Sequence, residues 1–321
     1  MGTVSNVLNR PDIVRAATVE RVHAAIKELG FVRNDAARQL RAGRSTTIGL
    51  VVLDARNPFF TDVARGAEDE AGRDGLSVVM ANSDESPARE AAHVDYFETQ
   101  RVLGLLISPI GDIGERLERL RTAGTPAVLV DRVAGSRSLS SVAVDDVEGG
   151  RLAAQHLLDL GRRQLAFVGG PAGLAQMQDR LTGVESAAAA VEGASVEAVE
   201  TLGLSFEDGR RAARALLARH APDRPDALVA GNDLVAIGAL QVLMGEGHLR
   251  VPEDVAIVGY DDIDFASAAV VPLSSVRQPR DLIGQTAVQI LREEAEDPSL
   301  APRNLVFKPE LVVRESTAGR A

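Results

Sequence analysis

The chain has 321 residues, a net charge of −11, 45% hydrophobic residues and no cysteine. This length accommodates two compact domains and a small headpiece. The lack of cysteine excludes disulfides, thiol nucleophiles and cysteine metal sites. No apolar stretch is long enough to cross a membrane and no secretory signal is present, so we expect a cytoplasmic protein without a membrane partner.

The first segment predicts a short helix that ends at Arg10 and Pro11. Val4, Val7 and Leu8 recur at helical spacing and form an apolar stripe. The other face is polar and suits base edges or phosphates, with Thr3, Ser5, Asn6 and Asn9 as the candidate DNA contacts.

Two further amphipathic helices are predicted before the main body begins. One runs from Thr18, as its N-cap, to Leu29 and ends at Gly30, with an apolar side made of Val19, Val22, His23, Ile26 and Leu29. The other covers residues 34–42 and ends at Gly43. A small helical cap that only packs on the main body would show the same pattern.

The distribution of charge favours a nucleic-acid partner for this end of the chain. Residues 1–47 contain eight basic and four acidic side chains, a net charge of +4, whereas the remainder carries −15. A basic arm on an acidic body suits a polyanion that is contacted by one end only. DNA is the expected partner.

From Thr47 onward, short apolar runs alternate with helical stretches. The predicted strands are 48–53, 76–81, 104–108, 127–130, 165–168, 227–230 and 255–258, and the clearest helices are 61–73, 151–160 and 234–244. This alternation predicts parallel sheets of doubly wound α/β topology. The repeats are too many for one sheet, so we expect two Rossmann-like lobes.

Polar and aromatic residues cluster where the predicted strands end, which is where such sheets bind ligands. Two adjacent phenylalanines follow the first strand although aromatic residues make up only 3% of the chain. Aromatic faces cover sugar rings, while carboxylates, amides and guanidinium groups hold hydroxyls. The strand ends therefore predict a polyol pocket.

The N-terminal segments resemble those of the lactose/galactose repressor (LacI/GalR) family. The run Thr3 to Pro11 resembles the recognition helix of its helix-turn-helix, and Arg33 to Ser45 resembles its hinge helix. The resemblance implies that Leu40 inserts into the minor groove beside Arg38 and Arg41; on its pattern alone Leu40 could be an ordinary buried residue. Because the match starts at Thr3, we expect that Met1 is not the natural N-terminus and that this headpiece is partial.

The body from Thr47 resembles the periplasmic-binding-protein-like type I core of these repressors, and its site resembles that of ribose-binding proteins. The resemblance implies effector contacts by ten residues: Asn57, Phe59, Phe60, Asp131, Arg132, Arg180, Phe206, Asn232, Asp261 and Gln278. Asp131-Arg132 together with Phe59-Phe60 is the more selective part of this set. Taken singly, Asp131 could cap a turn, Arg180 could form a surface ion pair and Phe206 could belong to the core.

We expect three regions in the chain. A partial helix-turn-helix headpiece and hinge helix covers residues 1–45. An N-terminal lobe covers 46–144 and 279–304, and a C-terminal lobe covers 145–278 and 305–321. Val144 to Gly150 is interpreted as a crossover between the lobes.

Catalysis, metal binding and cofactor binding are not expected. The five histidines lie away from the strand ends, and Asp261, Asp262 and Asp264 have no matching ligands elsewhere in the sequence. No phosphate-binding glycine motif is present.

The sequence therefore predicts a homodimeric repressor that binds operator DNA and responds to a sugar in the interlobe cleft, by resemblance D-ribose or a close pentose. Three alternatives remain at this point: a sugar-binding protein of a transport system, a regulator that responds to a hexose or nucleoside, and an enzyme acting on a pentose or nucleoside.

Overall fold

The computed structural model describes residues 3–30, 45–135 and 138–319. The chain divides into two compact units, Met1–Ser45 and Thr46–Ala321. The predicted helix over residues 34–42, together with Arg38, Leu40 and Arg41, lies outside the described residues.

The first unit contains the first two predicted helices. Helix α1 spans Thr3–Asn9 and buries Val7, and helix α2 spans Ala16–Glu28. The N-cap of α2 is Arg15, so the prediction that Thr18 caps this helix is wrong. The helix does end before Gly30, whose φ of +58° is the left-handed conformation that favours glycine. Leu29 is 80% exposed and His23 is also exposed, so the apolar side that is shielded from solvent is narrower than predicted and only half-buried; it consists of Val19, Val22 and Ile26.

The first lobe of the second unit is a six-stranded parallel sheet with helices on its faces. Its strands have the order β11-β5-β4-β3-β1-β2. The strands are β1 (Thr47–Val52), β2 (Ser77–Asn82), β3 (Gly104–Ile107), β4 (Ala127–Val130), β5 (Ser140–Val144) and β11 (Asn304–Phe307). The helices are α3 (Pro58–Arg73), α4 (Pro87–Thr99), α5 (Gly114–Thr122) and α11 (Arg280–Glu296).

The second lobe repeats this arrangement with the order β12-β10-β9-β8-β6-β7, in which only β12 is antiparallel to its neighbour. The strands are β6 (Gln164–Gly169), β7 (Ser195–Glu200), β8 (Ala227–Ala230), β9 (Ala256–Asp261), β10 (Ser274–Arg277) and β12 (Glu310–Val312). The helices are α6 (Asp146–Asp159), α7 (Ala175–Ala189), α8 (Phe206–Leu217), α9 (Asp233–Gly245), α10 (Asp264–Ala268) and α12 (Glu315–Ala318). The predicted two-lobed α/β fold is confirmed.

The chain passes between the lobes three times: from β5 to α6, from β10 to α11 and from β11 to β12. The first passage contains Asp145, within the segment interpreted as a crossover. The predicted boundary between residues 304 and 305 falls inside β11, which pairs with β5 along its whole length. The third passage therefore comes after Phe307.

Several helices begin earlier than hydrophobic periodicity indicates, because a polar residue at the strand end caps each of them. The Asn57 side chain accepts a hydrogen bond from the backbone N–H of Phe59, with Pro58 as the first helical residue. Asp145 caps α6 and Asn232 caps α9 in the same way. A side-chain cap supplies an acceptor to the free N–H groups of the first turn.

Three helix pairs cross at glycines that face each other's backbone. A β-carbon on Gly66 of α3 would lie 2.1 Å from the carbonyl oxygen of Asp281, and one on Gly284 of α11 would lie 2.0 Å from that of Val63. The pairs α6–α7 and α8–α9 have the same reciprocal arrangement. Glycine is required at these crossings because any side chain would overlap the partner helix.

Within the described ranges, no helix has the length and apolar character needed to cross a membrane.

Candidate functional site

A cavity lies between the two lobes at the carboxyl ends of their strands. Seven of the ten predicted effector contacts line it: Asn57, Phe59, Phe60, Asp131, Arg180, Asn232 and Asp261. It holds about 30 Å³ of space that water can occupy, which is room for roughly two water molecules. When gaps and the open mouth are included, the crevice measures about 440 Å³. The lobes are therefore nearly closed on each other.

Asp261 connects the two lobes at one end of the cavity. Its carboxylate accepts a hydrogen bond from Asn57 Nδ2 of the first lobe at 2.9 Å and one from Gln278 Nε2 at 2.8 Å. Burial raises the pKa of Asp261, although the neighbouring Arg180 charge acts in the opposite direction. Gln278 does not line the cavity itself, so the structure places it behind Asp261 as a support.

Asp131 forms a second connection between the lobes. Gln176 Nε2 of the second lobe donates to the Asp131 backbone oxygen at 2.7 Å and to its Oδ2 at 3.1 Å. Asp131 Oδ1 and Gln176 Oε1 are buried and have no hydrogen-bond partner among the residues that the structure describes. Because unpaired buried acceptors are costly, these two atoms favour a ligand that donates hydrogen bonds.

Arg180 lies on α7 and supplies the positive charge in the cavity wall. Its Nε donates to Asp146 Oδ1 at 2.7 Å, and its Nη1 donates to the Gly231 carbonyl oxygen at 2.6 Å. The guanidinium carbon stands 3.6 Å from the centre of the Tyr260 ring. Burial opposes the charge, but Asp146 and the other nearby acidic groups raise the pKa of Arg180. The ion pair and the ring hold this group in one orientation.

Phe59 and Phe60 occupy the first turn of α3 rather than a loop. Their ring centres are 5.0 Å apart with an interplanar angle of 79°, an edge-to-face arrangement that aromatic pairs favour. Asn232 lies opposite them, where it caps α9 and donates to the Leu204 carbonyl oxygen at 3.1 Å. Apolar rings and polar groups thus share the cavity wall.

Two predicted contacts lie away from the cavity. Arg132 Nη1 donates to the Gly111 carbonyl oxygen at 2.7 Å, beside a different crevice. Phe206 is the first residue of α8 and packs against core residues, with Leu204 lining the cavity instead. For both residues, effector contact stays a prediction.

The cavity also contains polar residues that the sequence analysis missed. Asp54 and Glu85 line it from the first lobe and Gln176 lines it from the second. Glu85 follows the end of β2. The sequence analysis predicted this strand but took no candidate site residue from its carboxyl end. Gln176 precedes Arg180 by four residues, which places both on one face of α7.

The candidate DNA contacts in the described headpiece all lie on α1. Thr3 is exposed, whereas Ser5 and Asn6 are half-buried. A groove of about 550 Å³ runs between α1 and α2 and includes Val4, Val22 and Ile26. Contact of α1 with bases or phosphates stays a prediction.

Two family profiles match the chain. Residues 1–34 match the bacterial regulatory proteins of the lacI family, and residues 154–317 match the periplasmic binding protein-like domain. The chain is 32% identical to the ribose operon repressor of Escherichia coli strain K12, over 98% of this chain and 95% of that protein. It is 37% identical to the transcriptional regulator CelR of Thermobifida fusca, over 98% of this chain and 94% of that protein.

The chain belongs to the lacI family of transcriptional regulators. Its fold is similar to that of the lac repressor dimer bound to operator, with a TM-score of 0.83 and 28% identity over 98% of this chain and 94% of that one. A CelR–cellobiose complex matches with a TM-score of 0.75 and 35% identity, over 98% and 95%. A family member from Enterococcus faecium with bound ribose matches with a TM-score of 0.77 and 26% identity, over 86% and 100%.

The residues that the structure describes contain no group of three or more histidine or acidic side chains arranged to hold a metal ion. Asp262, one of the aspartates considered in the sequence, instead pairs with Arg277 at 2.7 Å and with Arg314 at 2.6 Å.

Proposed function

We propose that this regulator binds a small sugar in the interlobe cavity and that D-ribose or a close pentose is the effector. The observation that carries the proposal is the convergence of Asp131, Arg180 and Asp261 on one closed cavity whose wall retains unpaired acceptors. Relatives support a sugar but differ in which one, since one is named a ribose operon repressor and another was solved with cellobiose.

The sugar would act by favouring the closed arrangement of the lobes. The hydrogen bonds Asn57–Asp261 and Gln176–Asp131 join the lobes across the cavity. A ligand shifts an equilibrium between open and closed forms only through its different affinity for the two. Sugar binding and operator binding are then reciprocally coupled.

We also propose that the headpiece binds operator DNA as part of a homodimer. The basic charge of residues 1–47 and the match to an operator-bound dimer support this assembly. Edge strand β2 of the first lobe exposes Val79 (43%) and Met80 (41%), and α4 exposes Tyr96 (54%). These side chains offer apolar area on which a second copy could pack.

The ligand is tested by calorimetric titration with ribose, xylose, arabinose, glucose, cellobiose and nucleosides. We expect ribose to bind and Asp261→Ala to abolish binding, because its truncation leaves the Asn57 and Gln278 amides without their acceptor. Asp264→Ala is the matched control, since Asp264 is exposed in the same segment. Binding of a hexose, cellobiose or a nucleoside in place of ribose would contradict the proposal that the effector is a pentose. Normal ribose binding by Asp261→Ala would contradict the proposed site.

A further inference from the structure

Glu85 is a carboxylate at the mouth of the cavity that the protein leaves unpaired. It lines the cavity from the first lobe, is half-buried, and its carboxylate accepts no hydrogen bond from any residue in the described ranges. Asp54 lines the same wall, with 6% of its surface exposed. Two acidic side chains of the first lobe therefore line the cavity, and Glu85 is the more exposed of the two.

The second lobe places a third carboxylate against this entrance. Glu85 Oε2 and Asp208 Oδ2 both lie within 3.3 Å of the point where a β-carbon on Gly203 would stand. Although burial opposes the charge, hydrogen bonds from Ser205 and Arg211 lower the pKa of Asp208. Negative charge thus faces the entrance from both lobes.

The neighbouring cations are already engaged in other contacts. Arg56 spans Asp54 and Asp84, with N–O distances of 2.9 Å to each, and Arg211 pairs with Asp208. Arg89 pairs with Asp84 at 3.1 Å. Inside the cavity, the Arg180 charge is matched by Asp146.

We propose that Glu85 determines specificity by excluding anionic ligands, so that the effector is an unphosphorylated, hydroxyl-rich molecule rather than its phosphate ester. An independent feature deeper in the same cavity points to the same ligand class. Asp131 is 4% exposed and its Oδ1 lacks a partner among the described residues, so it favours a ligand with a hydrogen-bond donor, which a hydroxyl group supplies. This inference rests on the proposed sugar site and names the chemical class of its ligand.

The exclusion has a defined sensitivity to pH. Burial, with the charges of Asp54 and Asp208, raises the pKa of Glu85 to about 7, while Arg56 opposes the shift and Asp84 adds to it. Below this pH Glu85 becomes neutral and the rejection of anions weakens; above it Glu85 is ionised and the rejection is strongest.

The test compares each neutral ligand with its phosphate ester by calorimetric titration of the full chain: ribose with ribose 5-phosphate, glucose with glucose 6-phosphate, and adenosine with adenosine monophosphate. For whichever neutral ligand binds, we expect the wild type to bind it roughly 100-fold more tightly than its phosphate ester. A ratio of this size corresponds to one repulsion between like charges near a protein surface. Glu85→Gln should reduce this preference at least about tenfold and weaken its dependence on pH near 7, leaving the part that comes from the second ionisation of the phosphate at about pH 6, whereas the exposed Glu98→Gln should leave both unchanged.

The outcomes separate this inference from the proposed pentose. If glucose or adenosine binds instead of ribose and Glu85→Gln reduces the preference over its phosphate ester, the pentose is wrong and the role of Glu85 stands. Equal affinity for a neutral ligand and its ester in the wild type, or an unchanged preference in Glu85→Gln, overturns the role of Glu85. If none of the neutral ligands binds, both proposals fail.

Discussion

Two carboxylates of the cavity are held in a backbone conformation that few residues other than glycine adopt. Asp131 has a φ of +59° and Asp261 a φ of +102°. Aspartate tolerates this region better than most side chains, yet the conformation is sparsely populated and persists only where the surroundings impose it. Asp131 directly follows β4, and Asp261 is the last residue of β9; both strands are buried. The turn after each strand directs the carboxylate into the cleft. The site combines backbone strain with buried charge.

Asp131→Asn is expected to stabilise the free protein at neutral pH. Burial, followed by the charge of Asp146, raises the pKa of Asp131. Since the folded pKa exceeds the unfolded value, the contribution of Asp131 is most favourable at low pH and is lost as the pH rises through the folded pKa. Removing the charge should raise the Tm by about 2–4 °C at pH 7.5. The gain should shrink toward pH 4.

Thermal unfolding over this pH range, without ligand, checks the prediction. Asp69→Asn is the control, because Asp69 is an exposed aspartate on α3 and should give no such trend. Should Asp131→Asn lower the Tm at pH 7.5, Asp131 would instead stabilise the fold as a charged group.

At the scale of single residues, the sequence predicted part of the cavity wall and missed the rest. Strand-end position was sufficient to find Asn57, Asp131 and Asp261, because all parallel strands end at one edge of the sheet. It did not locate Gln176, which projects from a helix, and it did not show that the Arg132 side chain points to Gly111. Side-chain direction depends on neighbours that are distant in sequence.

Helix α3 packs closely against α11 on one face and has no close neighbour on another. Gly66 faces the backbone of α11, whereas a β-carbon on Gly72 of the same helix would have no neighbour within 4 Å. The sequence alone does not distinguish these two glycines. Only the packing of the partner helix distinguishes them.

Alanine at these two positions should have opposite effects on stability. Gly66→Ala should lower the free energy of unfolding by about 1–3 kcal/mol or more, because the methyl group forces the helices apart. Gly72→Ala should raise it by up to about 1 kcal/mol, because alanine restricts the unfolded chain and favours the helix. Denaturant unfolding of the two variants measures both values, and equal signs would contradict the crossing geometry.

Two edge strands, β7 and β11, were not among the strands predicted from the sequence, although the edge strand β2 was. β7 reads Ser-Val-Glu-Ala-Val-Glu and β11 reads Asn-Leu-Val-Phe; the residues of both are exposed or half-buried. A central strand such as β9, buried along its whole length, gives a continuous apolar run. β7 and β11 lack this signal because only one neighbouring strand and one face constrain their side chains.

At the scale of the whole molecule, the two lobes are joined by three chain passages and by hydrogen bonds across the cavity. The Asn57–Asp261 and Gln176–Asp131 contacts each join a residue of one lobe to a residue of the other. Each contact also includes a residue of the proposed sugar site. The proposed sugar site therefore predicts that ligand binding and lobe closure are linked through the same side chains.

Gln176→Ala should shift the ligand-free protein toward an open form and weaken effector binding. The substitution removes both hydrogen bonds to Asp131 and leaves its Oδ2 without the amide donor. The loss of a buried charge-assisted contact corresponds to roughly 10-fold or more in affinity. Small-angle scattering should show a larger radius of gyration than in the wild type, and calorimetry should show the weaker binding.

Gln178→Ala provides the matched control for this variant. Gln178 lies two residues further along α7, and its amide donates to the Ala172 carbonyl oxygen within the same lobe. Its removal should change neither the radius of gyration nor effector affinity. An unchanged radius in Gln176→Ala together with weaker binding would assign Gln176 to ligand contact alone, and no change in either measurement would show that this contact does not hold the lobes together.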